Sequence, residues 1–202
     1  VVWCQSNIKK GTARALIVNA GNANAFTGYK GVSHVVAITA AVAKQINCKA
    51  DEVFVASTGI IGEFLSISEI LNAIPKLVND KKNVSWYDAA NAIRTTDTFP
   101  KIASQNFILD GKNYKINGIA KGSGMIAPDM ATMLGFLFTD ANIPSDILYE
   151  LLRKENEKSF NAISVDGDTS TSDTVMIFSS KQNKAEISIE NYKDKRLVGF
   201  RR

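Results

Sequence analysis

Thr132, preceded by Ala131 and followed by the apolar run Met133-Leu-Gly-Phe-Leu-Phe138, is the residue of this sequence best placed to act as a nucleophile. A threonine hydroxyl can attack the carbonyl of its own preceding peptide bond when the preceding residue is small and the backbone is held in a tight turn. Ala131 is small, Pro128 stiffens the approach through its fixed φ, and Gly122-Ser-Gly124 supplies a small-residue loop ahead of them. Cleavage of the Ala131–Thr132 bond would give Thr132 a free α-amino group. Such an amine titrates at about pH 8, so it could act as base for the hydroxyl of its own residue. One bond-breaking event would then create nucleophile and base together. By itself, an Ala-Thr junction behind a Gly-Ser-Gly loop is more often an ordinary turn, and the pattern alone leaves both readings open.

Acyl transfer through Thr132 would need fixed donors for the oxyanion. Ser57-Thr58-Gly59, expected at a turn that ends a strand, offers a hydroxyl from Thr58 and an unobstructed N–H from Gly59. Removing one donor of this kind costs about 3 kcal/mol of transition-state stabilisation. Taken alone, this tripeptide too is commonly just a turn. Lys121 stands eleven residues before Thr132, near enough through a Gly-rich loop to return to it, and could pair with a substrate carboxylate. Thr95-Thr-Asp-Thr98 reads as a polar loop that Asp97 would orient rather than one in which Asp97 touches substrate.

Other chemistries find less support. Asp166-Gly-Asp168-Thr-Ser170 resembles the start of a calcium loop, but the sixth position is Thr171 rather than Gly and the twelfth is Ile177 rather than Glu, so no metal is expected. His34, the only histidine, lies far from any serine motif and is expected to be structural or exposed rather than part of a triad. The glycine loop lacks the Gly-Lys-Ser/Thr order that cradles nucleotide phosphates. Cys4 and Cys48 have no metal-ligand spacing and read as reduced thiols.

The run from Lys121 to Phe136, KGSGMIAPDMATMLGF, resembles the cleavage and nucleophile motif of the ornithine acetyltransferases, also called bifunctional glutamate N-acetyltransferases, of the ArgJ family. Four further stretches agree: NAGNANAFTG (19 to 28), ASTGIIGEFL (56 to 65), TTDTFPK (95 to 101) and SFNAISVDGDTSTSDTV (159 to 175). The resemblance implies self-cleavage at Ala131–Thr132 and transfer of acetyl from N-acetylornithine to glutamate through acetyl-Thr132. It also implies an oxyanion hole from Thr58 and Gly59, substrate contacts from Thr95 or the adjacent Thr96, from Lys121 and from Thr132, and support of the site by side-chain hydrogen bonds from the Asp166–Ser170 stretch. No cofactor is implied, although acetyl-CoA is a possible second donor. Residues 1–131 would belong to an α chain and 132–202 to a β chain, two such pairs forming a cytoplasmic heterotetramer. The segment reads as an internal piece of the family chain, truncated at both ends, without the C-terminal glutamate and asparagine that contact substrate in the family. Phe26 stands where relatives commonly have Cys, and Asp129 where many have Asn. Two other readings are a DmpA-like aminopeptidase or amidase, in which water accepts the acyl group, and an inactive amino-acid-binding fragment.

These residues must be positioned by a globular fold. The 202 residues, 45% of them hydrophobic, suffice for a buried core, and no domain boundary is visible. The absence of a long apolar run leads us to expect a soluble, intracellular protein without a membrane span. A net charge of +4 is spread out, with small concentrations at Lys81-Lys82 and from Lys193 to Arg202, which suits a solvated face better than nucleic acid. Strands are expected at 14–18, 51–56, 107–109, 114–119, 133–139, 174–179 and 185–189. Helices are expected from Ser33 to about Gln45, from Ser66 or Ser68 toward Val78, from Trp86 to Ile93 and from Pro144 to about Phe160. Asp110-Gly111 predicts a hairpin turn. Hairpin pairing with interposed helices argues for a layered α/β or α+β domain. The family resemblance sharpens this to an ArgJ/DmpA-like fold with helices covering packed β-sheets.

Overall fold

The computed structural model describes residues 1–80, 82–122, 132–163, 170–180 and 188–201. Lys81, the loop with Pro128, Asp129 and Ala131, the pair Asp166 and Asp168, and most of the strand expected at 185–189 lie outside the described residues. The chain runs through helix α1 (Val2–Asn7), strand β1 (Ala15–Asn22), helix α2 (Gly28–Ile46), strand β2 (Val53–Ile60), and helices α3 (Ile67–Asp80) and α4 (Trp86–Ala92). There follow strands β3 (Lys101–Leu109), β4 (Lys112–Lys121) and β5 (Leu134–Thr139), helix α5 (Ser145–Asn156) and strand β6 (Thr174–Ser179).

β1 and β2 pair in parallel from Ala15 opposite Val53 to Asn22 opposite Ile60, a pairing that needs a crossover, which α2 provides. The other sheet has the order β3-β4-β5-β6, antiparallel except for the parallel β5–β6 pair, across which α5 runs. Alternation puts Phe54, Ala56 and Thr58 on one face of β2. Phe54 and Ala56 share a buried cluster with Ile119, Leu134, Phe136 and Met176 of the larger sheet, and Phe54 meets Phe178 edge to face at 6.1 Å. Burying a side chain the size of Phe136 or Leu134 contributes about 2 kcal/mol or more each, so this seam between the sheets is a principal source of stability. On the outside, Val42 and Ala43 of α2 and Ile74 of α3 cover Val53. Ile147, Leu148 and Leu151 of α5 cover Phe107, Leu109 and Tyr114 at the far side. Helix, sheet, sheet, helix is the layering that the family resemblance led us to expect. None of the described helices is long and apolar enough to cross a membrane, and both cysteines are free thiols.

Several boundaries differ from the sequence reading. α2 starts at Gly28, not Ser33, whose hydroxyl donates to Lys30 O inside the helix. The cause is Gly31. A Cβ there would lie 1.9 Å from Thr27 Oγ1, so only glycine lets Thr27 and Asn24 fold over the first turn. His34 faces inward and is buried against the Phe64 ring rather than exposed. α3 passes through Pro75 to Asp80, and α5 stops at Asn156, leaving Phe160 in a short 3-10 turn. β3 begins at Lys101, six residues earlier than read, because residues 101–106 form a largely exposed strand without an apolar alternation to betray it. The hairpin turn is a two-residue one, Leu109 facing Lys112, with Asp110 and Gly111 at φ of 49° and 72° as a type I′ turn requires.

Candidate active site

Thr58 and Gly59 do not sit on a turn. They lie within β2, opposite Ala20 and Gly21 of β1, and the ladder continues to Ile60. The strand survives its glycine because Gly59 and Gly21 both take positive φ, 127° and 130°, and a Cβ on Gly59 would lie 2.1 Å from Gly21 O. An L-side chain at 59 would therefore clash as well as strain. For the same reason, the strand expected over 14–18 continues as far as Asn22.

Thr58 points into the space between the sheets, where it meets Lys121, the last residue of β4. The lysine is only 1% exposed. Its Nζ donates to Thr58 Oγ1 at 3.0 Å and to Thr95 Oγ1 at 2.5 Å. Three residues singled out from separate stretches of sequence thus converge on one buried ammonium. Burial pushes the Lys121 pKa down, opposed by the charges of Asp97 and Asp173 and reinforced by that of Lys101.

Asp97 lies beside this cluster and ties it to the loop that leads to Thr132. Its Oδ1 accepts from Gly122 N at 2.9 Å and from the Lys101 ammonium. Burial alone would raise the Asp97 carboxyl. The bond from Lys101, the Gly122 N–H and the charges of Lys101 and Lys121 outweigh it and hold the pKa below the usual carboxylate value. A lowered carboxylate pKa stabilises the fold above the unfolded value near 3.8 and ceases to do so as pH falls through the lower, folded one. Asp97→Asn is therefore expected to destabilise the protein by about 2 kcal/mol at neutral pH, the scale of a charge-assisted hydrogen bond. In urea unfolding followed by circular dichroism, the gap from wild type should close as the pH is taken below that of the folded carboxyl.

Thr132 is 1% exposed, and its Oγ1 lies 3.1 Å from Ser170 Oγ. The next residue, Met133, donates its N–H to Asp173 Oδ1 at 2.7 Å and accepts from Thr174 N at 3.0 Å, which aligns the entry to β5 with that to β6. Among the described residues no hydrogen bond joins Thr132 directly to the Lys121 cluster. The link runs through the β4–β5 ladder, in which Lys121 faces Leu134, and through Gly122, where a Cβ would come within 3.3 Å of Met133 Cα. Ala131 lies outside the described residues, so the Ala131–Thr132 bond expected to be cleaved is described from its threonine side alone. A cleft of about 660 Å³ opens beside the site, with Ser57 on one wall and Thr171, Ser172 and Thr174 on another.

The strands that carry Thr58 and Lys121, and the entry to β5 at Thr132, also carry the motifs by which the sequence can be compared with known proteins. The family model described as the ArgJ family matches residues 1–198. This chain belongs to the ArgJ family. It is 55% identical over 180 residues to the arginine biosynthesis bifunctional protein ArgJ of Zymomonas mobilis, covering 89% of this chain and 44% of that protein. With the protein of the same name from Mesorhizobium japonicum it shares 50% identity over 204 residues, 100% of this chain and 49% of that one. The chain thus spans about half the length of the curated ArgJ relatives it matches. Among solved structures, it resembles arginine biosynthesis bifunctional protein ArgJ from Bacillus halodurans at a TM-score of 0.56 and 36% identity, over 63% of this chain and 67% of the other. The ornithine acetyltransferase of Mycobacterium tuberculosis complexed with ornithine gives the same score and identity, over 63% and 68%. The ArgJ layering expected from the motifs is that of these structures.

Two residues next to Thr132 were not given their place by the sequence reading. Ser170 was read only within the Asp166–Ser170 stretch, rejected as a calcium loop and expected to support the site through side-chain hydrogen bonds, and Asp173 was not singled out. Asp173 Oδ2 accepts from Ser170 N at 3.1 Å while Oδ1 takes the Met133 N–H. The available signal was chemical, a Ser-x-x-Asp spacing that commonly closes a side-chain-to-backbone turn.

Proposed function

We propose that the protein carrying this chain is an ornithine acetyltransferase of arginine biosynthesis, matured by self-cleavage between Ala131 and Thr132. The observation that carries the reading is the convergence of Thr58, Thr95 and Lys121 on one buried ammonium beside the strand that Thr132 enters. The names of the relatives point the same way. In maturation, Thr132 Oγ attacks the Ala131 carbonyl carbon, the C–N bond breaks, and the hydroxyl proton ends on the Thr132 nitrogen. Water then hydrolyses the ester, which releases the Ala131 carboxylate and frees the hydroxyl beside the amine already formed. In turnover that amine takes the hydroxyl proton as Oγ attacks the acetyl carbonyl of N-acetylornithine. Ornithine departs with the proton; the α-amine of glutamate then attacks the resulting ester, the acyl C–Oγ bond breaks, and the proton lost by the glutamate amine returns to Oγ.

Thr58 can accept from Lys121 and still donate its own O–H, which with Gly59 N–H suits it to the developing oxyanion. An ammonium has three donors, and two of those on Lys121 are used by threonines. The third suits the carboxylate shared by N-acetylornithine and glutamate, with Thr95 holding the lysine in place. No cofactor enters this scheme. The word bifunctional in the relatives' names supports a second acetyl donor, for which we assign acetyl-CoA. Residues 1–131 would then lie in the α chain and 132–202 in the β chain, paired as a heterotetramer. Two free thiols support a reducing compartment, the cytoplasm.

Denaturing mass spectrometry of the gene product should show two chains, the second beginning at Thr132, and ornithine release should depend on glutamate. A single chain that still transfers acetyl would overturn the processing step. Ornithine released equally fast without glutamate would favour the amidase reading.

A further inference from the structure

We infer that Ser170, clamped by Asp173, is the hydroxyl that orients Thr132 Oγ for attack, both in self-cleavage and in acetyl transfer. The inference rests on the nucleophile reading of Thr132 above and extends it to two further residues. The geometry is a closed ring. Asp173 Oδ1 holds the N–H of Met133 at 2.7 Å and Oδ2 holds the N–H of Ser170 at 3.1 Å. Ser170 Oγ in turn lies 3.1 Å from Thr132 Oγ1, and the Thr132–Met133 peptide closes the loop. One carboxylate therefore fixes the distance between the residue after the nucleophile and the residue that meets the nucleophile.

Ser170 is itself held in one orientation. Its Oγ accepts from Ser172 N at 3.2 Å, which occupies one lone pair and leaves a second lone pair and one proton for Thr132. Both hydroxyls are buried, so water does not compete for the contact. A threonine side chain otherwise divides among staggered rotamers, and only one aims Oγ at a given carbonyl. Whichever hydroxyl donates, the ring selects a single position for the attacking oxygen. No proton leaves the Thr132 residue through Ser170. In self-cleavage the hydroxyl proton ends on the Thr132 nitrogen, and in transfer the α-amine receives it. Ser170 touches the reacting oxygen, and Asp173 is a positioning residue that acts through it.

The test uses the gene product bearing Ser170→Ala, Ser170→Thr or Asp173→Asn. Ser170→Ala should slow the appearance of the Thr132-initiated chain. It should also lower kcat of the processed enzyme about tenfold, the worth of one hydrogen bond, with KM within about twofold of wild type. Ser170→Thr keeps the hydroxyl and should recover most of kcat. Asp173→Asn, close in shape, should lower kcat in the same direction. It keeps the test available if the alanine variant does not fold. A lower melting temperature with kcat within about twofold of wild type in both Ser170→Ala and Asp173→Asn would assign them a merely structural role and overturn the inference. Wild type that is never cleaved would instead overturn the nucleophile reading on which the inference stands, whereas normal wild-type cleavage with unaffected variants overturns the inference alone.

Discussion

Replacing Thr132 with alanine is expected to leave the polypeptide in one piece and to remove acetyl transfer altogether. The two losses have one cause. In the proposed mechanism the hydroxyl breaks the bond before residue 132 and the same hydroxyl later carries the acetyl group, so the substitution removes nucleophile and base at once. Nucleophiles that act as a unit with their base are worth up to about a millionfold in kcat, which would place the variant below detection in an ordinary turnover assay. Stability should change far less. Alanine keeps Cβ, and what is lost is a methyl group, the hydroxyl and the contact with Ser170 Oγ, on the order of 1–2 kcal/mol. A melting curve near that of wild type, one band on a denaturing gel and no acetylated enzyme after incubation with N-acetylornithine are the expected set. Thr132→Ser, which keeps a hydroxyl, should still be cleaved. Two chains from Thr132→Ala would sink the assignment, since no other hydroxyl is proposed to break that bond.

How much of this was legible in the sequence varies with the physics that places each residue. The apolar runs of β5 and β6 read correctly as strands, because burial leaves a local mark on the sequence. Asp110-Gly111 declared its turn through the positive φ that those residues tolerate. β3 was largely missed because an exposed strand is held by ladder hydrogen bonds, which leave no hydrophobic pattern. The start of α2 was misread for a related reason, since Gly31 serves close packing of Thr27 and Asn24 rather than breaking the helix. At the site, Thr58, Thr95 and Lys121 were named from motif resemblance, but their meeting point was not foreseeable. It depends on how two sheets face each other, which no local spacing encodes. Ser170 was expected to support the site only as part of its stretch, and Asp173 went unassigned, because their contacts exist only through a ring closed across two strand entries.

Lys121→Met should lower kcat/KM by about a hundredfold or more, while making the stability of the fold less dependent on pH. Methionine has nearly the length of lysine without its charge, so the seam between the sheets should stay filled. The loss falls on function. Thr58 and Thr95 lose the donor that fixes their hydroxyls, and the substrate carboxylate loses its cation, contacts worth about 3 kcal/mol together on the usual scale of charged hydrogen bonds. The pH effect follows from burial. It holds the Lys121 pKa in the folded protein below the ordinary value of 10.5. Below the folded pKa the ammonium is charged in both states, and its burial penalty is fully in force. Between that pKa and 10.5 the unfolded chain binds more protons than the folded one, so wild-type stability gains a contribution that rises with pH across this window. Above 10.5 the lysine is neutral in both states and the penalty is gone. The methionine variant has no such group and should lack this rise. Urea titrations of both proteins, run stepwise up to about pH 10.5, should show wild type gaining on the variant as the window is crossed. Parallel curves would mean that Lys121 is not desolvated in the folded protein. The threonine pair would then be holding an ordinary solvated cation, and the carboxylate-binding role assigned to it would lose its physical basis.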